Sequence, residues 1–125
     1  MLFNVSKVFA TLAAIAVVTA SPAKHDKTTA CSFVLHPEGP FDSSELLGEF
    51  NYAIGRTLAM TVPGQIVIGG NSTWVDNGDN SFDVQKTVGV IGQASSTTAA
   101  TVTGWAGTAL VGTTTNWFVD SVSCV

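Results

Sequence analysis

Few residues in this chain could do chemistry, and they fall into small sets. Asp76, Asp79 and Asp83, with Asn77 and Asn80, form the densest group of oxygen donors. Hard cations prefer such ligands. The spacing does not fit a helix–loop–helix calcium site, because Gly78 falls too early and no Glu closes the loop, so a polar turn is expected and no metal. Glu38, Glu45 and Glu49 could supply the paired carboxylates of glycoside cleavage. Glu45 and Glu49 stand four apart, which is also the pattern of a solvated helix face. His25 and His36 are the only histidines. No Gly-x-Ser-x-Gly elbow accompanies them, so a serine triad is not expected, and neither is a nonprotein cofactor. Trp74, Trp105 and Trp117, with Tyr52, would make a sugar-stacking surface if exposed and a core if buried. Asn71-Ser72-Thr73 is an N-glycosylation sequon beside Gly69-Gly70.

The N-terminus decides how these sets are read. Lys7 precedes the largely apolar run Val8 to Val18, and Val18, Thr19 and Ala20 offer a small-residue cleavage site before Ser21. This is the layout of a cleavable signal peptide over residues 1–20. The run is too short to span a bilayer, which takes about 20 apolar residues. Ser21 to Ala30 reads as a flexible leader, and residues 31–125 as one domain. The destination is secretion to an oxidising, extracellular space, so Cys31 and Cys124, the only two cysteines, are expected to pair. Such a bridge would enclose the whole domain.

The chain has 125 residues and a formal net charge of −4. Five cations face nine carboxylates, and one of the cations lies in the signal peptide. That balance excludes the clustered Lys and Arg of a nucleic-acid binder, and it argues against anionic membrane surfaces.

The positioning elements follow from periodicity. Cys31 to His36 reads as a strand, ended by Pro37-Glu38-Gly39-Pro40. Asp42 and Glu45 have capping-box spacing, with Phe41 and Leu46 as a hydrophobic staple. Leu46, Leu47, Phe50, Ala53, Ile54, Thr57 and Leu58 recur at helical spacing. Gly48 and Gly55 weaken that helix, or allow it to approach a sheet closely. Alternation of Phe50, Tyr52 and Ile54 gives a competing strand reading. Strands are then expected at Gln65–Ile68, Ser72–Asp76, Phe82–Ile91, Thr97–Trp105, Thr108–Val111 and Asn116–Cys124. Asn77-Gly78-Asp79-Asn80 makes a turn, and Gly92–Ser96 and Gly112–Thr115 make two more. Lys86 is the misfit on the apolar side of the Phe82–Ile91 strand, and suggests a position near an edge. The fold expected is α+β: a curled antiparallel sheet with one helix on one face. An all-β sandwich or barrel is the alternative.

The signal peptide, the Ser21-Pro22-Ala23 start, the Thr/Ser/Gly-rich body and the lone pair Cys31 and Cys124 together resemble the small secreted proteins of filamentous fungi, basidiomycetes especially. The resemblance implies an extracellular protein, an effector or one of unassigned role, and carries no catalytic residues. The function expected is non-enzymatic and of unassigned role, effector-like or signalling, through surface interactions with cell-wall polysaccharide or a host or other extracellular protein. A carbohydrate-binding module, a small glycoside hydrolase and a protease inhibitor presenting His36 to Pro40 are the alternatives.

Overall fold

The computed structural model describes residues 28–125. The expected signal peptide, and the leader as far as Lys27, lie outside the described residues. Six strands and two helices follow: β1 (Thr28–Pro37), α1 (Leu46–Thr61), β2 (Val67–Gly69), β3 (Thr73–Asp76), β4 (Phe82–Val90), α2 (Ser95–Thr103), β5 (Ala109–Val111) and β6 (Asn116–Cys124). All pairings are antiparallel, in the order β2-β4-β1-β6-β5, with β3 also pairing β4. The sheet curls into half a barrel. The mixed α/β class and the curled antiparallel sheet agree with the sequence reading; the number of helices does not.

Strand β1 is central because its neighbours on both sides are the longest strands available. Thr29, Cys31, Phe33, Leu35 and Pro37 point into the core, and the residues between them point outward. It begins at Thr28, three residues inside the stretch expected to be a flexible leader. The extension is held from the other end of the chain: Val125 donates its backbone N–H to the Ala30 carbonyl at 2.9 Å, and the Thr29 hydroxyl donates to the Val125 carbonyl. Cys31 lies directly opposite Cys124 across β1 and β6, and the two form a disulfide. Closing a loop with a sequence separation of 93 stabilises the fold by about 4 kcal/mol in the chain-entropy picture.

Strand β6 needs a device to keep its apolar residues inside. Trp117 and Val119 are two apart, but Val122 and Cys124 fall on the opposite parity. An extra residue resolves the conflict. Val34 pairs with Ser121 and Leu35 with Val119, so Asp120 is a bulge. Both apolar pairs then face the core.

Helix α1 packs Leu46, Phe50, Ala53, Ile54 and Leu58 onto this face. The competing strand reading of Glu49 to Ile54 is thereby excluded. The capping signal works one turn early. The Asp42 carboxylate accepts from the Ser44 amide at 2.9 Å and caps a 3-10 turn over Ser43–Glu45, which leads into α1. Phe41 packs on Phe82 and Trp117, with ring centroids 5.8 and 5.3 Å apart. A Cβ at Gly48 or Gly55 would meet open space, so neither glycine serves a close approach to the sheet.

Helix α2 corrects the strand expected at Thr97–Trp105 and the turn expected to run to Ser96. Four threonines and Val102 favour strand locally. Packing overrides them. Thr98, Val102 and Trp105 are spaced four and three apart, all three are buried, and Trp105 stacks on Phe33 with centroids 6.4 Å apart. Two threonine hydroxyls are satisfied within the helix, Thr101 donating to the Thr97 carbonyl and Thr103 to that of Ala100, both at 3.2 Å, while Thr98 donates to Gln93 Oε1 ahead of it at 3.0 Å.

Because a Cβ at Gly48 or Gly55 meets nothing, Gly48→Ala and Gly55→Ala should each raise the unfolding free energy by about 0.5–1 kcal/mol through helix propensity. Denaturant unfolding of each variant tests this. Destabilisation by either would show that the glycine has a packing role.

Candidate functional site

The three carboxylates considered for hydrolysis are not brought together as a pair. Glu38 and Glu45 are exposed. Glu49 is 1 % exposed, in the first turn of α1, and is correspondingly no part of a solvated helix face. It points at the β5–β6 turn. Its Oε2 accepts from the Thr113 hydroxyl at 2.6 Å and the Thr114 hydroxyl at 2.8 Å. The Thr114 amide lies 3.2 Å from both carboxylate oxygens. Trp117 Nε1 donates to Oε1 at 3.1 Å. Gly112 makes room for this head group, since a Cβ there would collide with Glu49 Oε1 and the Thr115 carbonyl.

Burial alone would push the Glu49 carboxyl up. The hydroxyls of Thr113 and Thr114, the Trp117 indole and the Thr114 amide outweigh it and hold the group at about 2. The helix N-terminus adds favourable potential. Every donor is an internal side chain or backbone group, so the carboxylate has no lone pair free to take a proton from a substrate. It fastens α1 to the last hairpin. Sequence reasoning missed this role; the signal was the run Gly112-Thr113-Thr114-Thr115, which supplies a tight turn and a row of donors.

The tryptophans are not a row. Trp117 is 0 % and Trp105 is 7 % exposed, so neither can stack on a ligand. Trp117 sits in a cluster with Phe50 and Phe82 at centroid distances of 4.8 and 5.8 Å. Only Trp74, 36 % exposed on β3, reaches solvent, and it leans edge-on against Phe50. Tyr52 is also exposed.

The aspartate-rich loop is a turn. Asp76 accepts from the Gly78 amide, Asp79 accepts from the amide and hydroxyl of Ser81, and Asn77 donates to Asp83 at 3.0 Å. The Asp79 carboxyl is held low by its bond from the Ser81 hydroxyl. Among the described residues no group of three His, Cys, Asp or Glu side chains could hold a metal. His36 pairs with Asp120 at 2.9 Å on the outer face, where it also lies against Phe118. The His36 to Pro40 segment is tied down by Glu38, whose amide donates to the Asn116 carbonyl.

Lys86 shares the inward parity of Val84 and Val88. It stands opposite Cys31 in the gap on β4 between the stretches paired with β3 and with β2. Its ammonium donates to the Gly70 carbonyl and to Asn51 Oδ1, and burial lowers its pKa. It props the crossing from β2 to β3 against α1.

What remains open is the outer face of the sheet. Both helices contribute to one core on the inner face. The register aligns two rows across β3, β4, β1 and β6: Thr73, Gln85, Ser32, Ser123, and beside it Val75, Asp83, Val34, Ser121. A shallow groove of about 290 Å³ runs along β4, β1 and β6 over these rows. Hydroxyls, one amide and one carboxylate line it together with apolar surface from Phe33, Val34, Val84 and Val122. That lining can exchange hydrogen bonds with a polar partner.

The Glu49 lock has a pH signature. Its carboxyl is depressed from 4.5 to about 2, so its contribution is complete above the ordinary carboxyl range and is lost as pH falls from about 4.5 towards 2. The loss should reach about 3 kcal/mol. Glu49→Gln should cost about 2–3 kcal/mol at neutral pH and flatten this acid limb. An unchanged acid limb in the variant would assign the pH dependence to other groups.

No family model, curated protein or solved structure matches this chain.

Proposed function

We propose that the protein is exported and acts, without catalysis, as a binding domain through the uncovered outer face of its sheet. The observation that carries this reading is the one-sided covering of the sheet: α1 and α2 share a single core, and the rows headed by Thr73 and Val75 face solvent. The disulfide between Cys31 and Cys124 is the expected consequence of an oxidising route. The signal-peptide pattern of residues 1–20 supports the same route. On this reading the protein belongs with the effector-like small secreted proteins of filamentous fungi, glycosylated and acidic, meeting a host protein or a wall surface outside the cell.

A specific observation favours carbohydrate as an alternative partner. The row Thr73, Gln85, Ser32, Ser123 offers hydroxyl and amide groups at strand spacing, about 4.8 Å, which suits a polyhydroxylated chain. The row of three tryptophans does not support it, because two are in the core.

Expression of the full precursor in a secreting eukaryotic host should deliver a product beginning at Ser21 to the medium, with no free thiol. The mature protein should bind cell-wall polysaccharide or intact cell surfaces. Ser32→Arg, on the outer face, should abolish that binding with stability changed by less than about 0.5 kcal/mol. Ser43→Arg, in the 3-10 turn, should leave it intact. Retention inside the cell with residues 1–20 attached would contradict export, and equal binding by both variants would contradict the outer face as the site.

A further inference from the structure

The sequon at Asn71 lies where the fold has an open edge. Strand β3 pairs with β4 on one side, and its other side pairs with no described strand. All four of its residues are exposed, including Trp74 and Val75. An exposed edge strand with β-branched and aromatic residues is a template for pairing with another chain, and folded proteins ordinarily blunt it with charge, proline, a bulge or a cover. Only Asp76, at the end of β3, supplies a charge, and no proline or bulge interrupts the strand.

The residues around Asn71 are organised so that its side chain is oriented yet open. Asn51 on α1 is the hub. Its Oδ1 accepts from the amide and the hydroxyl of Ser72, both at 2.8 Å, and from Lys86 Nζ at 3.3 Å. Its Nδ2 donates to Asn71 Oδ1 at 3.2 Å. The contact uses the carbonyl oxygen of Asn71 and leaves its Nδ2, the atom that bears an N-linked sugar, unengaged by this hub. An amide-linked sugar retains that carbonyl oxygen, so the Asn51 bond survives modification. Asn71 is exposed and stands two residues before β3. The four residues of β3 span about 13 Å at strand rise, within reach of a bulky glycan attached at its start.

We infer that Asn71 carries an N-linked glycan, oriented by Asn51, whose function is to cover the open edge of β3 and keep the domain from pairing edge to edge. The inference rests on the proposed export, since only a chain entering the secretory route meets the glycosylation machinery. The bulk of the glycan and its hydration block approach of a second strand to Thr73–Asp76. Thr73 and Val75, at the β3 end of the outer-face rows, fall under the glycan, while the parts of those rows on β1 and β6 lie two strands or more away and stay accessible.

The test uses the full precursor expressed in a glycosylating eukaryotic host, with the product collected from the medium. The intact mass should exceed that of the chain from Ser21 by one glycan, and peptide N-glycosidase should remove the excess and convert Asn71 to Asp. Thr73→Ala and Asn71→Gln should each abolish the excess mass; Thr73→Ala keeps the Asn51–Asn71 bond and so separates loss of sugar from loss of the hub. Sedimentation should show a monomer for the glycosylated protein and concentration-dependent self-association for Thr73→Ala. Adding Val75→Lys to that variant should restore the monomer. A secreted product beginning at Ser21 with Asn71 unmodified would overturn the inference while leaving export intact. A sugar-free variant that stays monomeric would overturn the shielding role. A chain never released would contradict export itself.

Discussion

The buried carboxylate of Glu49 is the constraint on which the arrangement of this domain rests. A charge removed from water is tolerable only where hydrogen bonds replace its hydration. Here a hairpin is built to do so. Thr113 and Thr114 bring hydroxyls and an amide, Gly112 leaves space, and Trp117 finds for its indole N–H the partner that a buried tryptophan requires. The same four groups tie the first turn of α1 to the β5–β6 hairpin, residues more than 60 positions apart in the chain. Trp117 then anchors Phe41, Phe50 and Phe82 around itself, so the polar lock and the aromatic core are one structure.

A second constraint acts from the opposite end of the sheet. Cys31 and Cys124 fasten β1 to β6 near the chain terminus, and Val125 extends that pairing to Ala30. Between the lock and the disulfide, the bulge at Asp120 corrects the parity of β6 and lets both halves of the strand feed one core. With α1 fixed by Glu49 and α2 by Thr98, Val102 and Trp105, both helices pack on the inner face and leave the outer face uncovered. The outer rows, polar but for Val75 and Val34, are left uncovered as a result, and they are the surface on which the proposed binding depends.

Local signals made part of this legible. The alternation of Phe82, Val84, Val88 and Val90 fixes β4, the Asn77–Asn80 turn fixes its hairpin with β3, and the lone cysteine pair closes the sheet as a disulfide. The rest depended on partners far away in sequence. Threonine-rich α2 has strand propensity, and only the docking of Thr98, Val102 and Trp105 against β1 and β6 makes it helical; their spacing was the available sign. Glu49 next to Glu45 looks like a solvated face until the hairpin arrives over it. Lys86 contradicts the apolar side of β4 until the Gly70 carbonyl and Asn51 are seen to receive it. Trp74 and Trp117 are identical as letters, and their exposures differ because one lies on an edge strand and the other on β6, paired on both sides with β1 and β5.

The ionisation of Glu49 tests this account at its centre. Carbon-detected NMR titration of the side-chain carboxyl in the mature, disulfide-closed protein should show Glu49 still charged well below the other glutamates, with a midpoint at about 2. A midpoint at or above the ordinary 4.5 would mean that the hairpin donors do not hold the charge, and the lock between α1 and the last two strands would have to be abandoned.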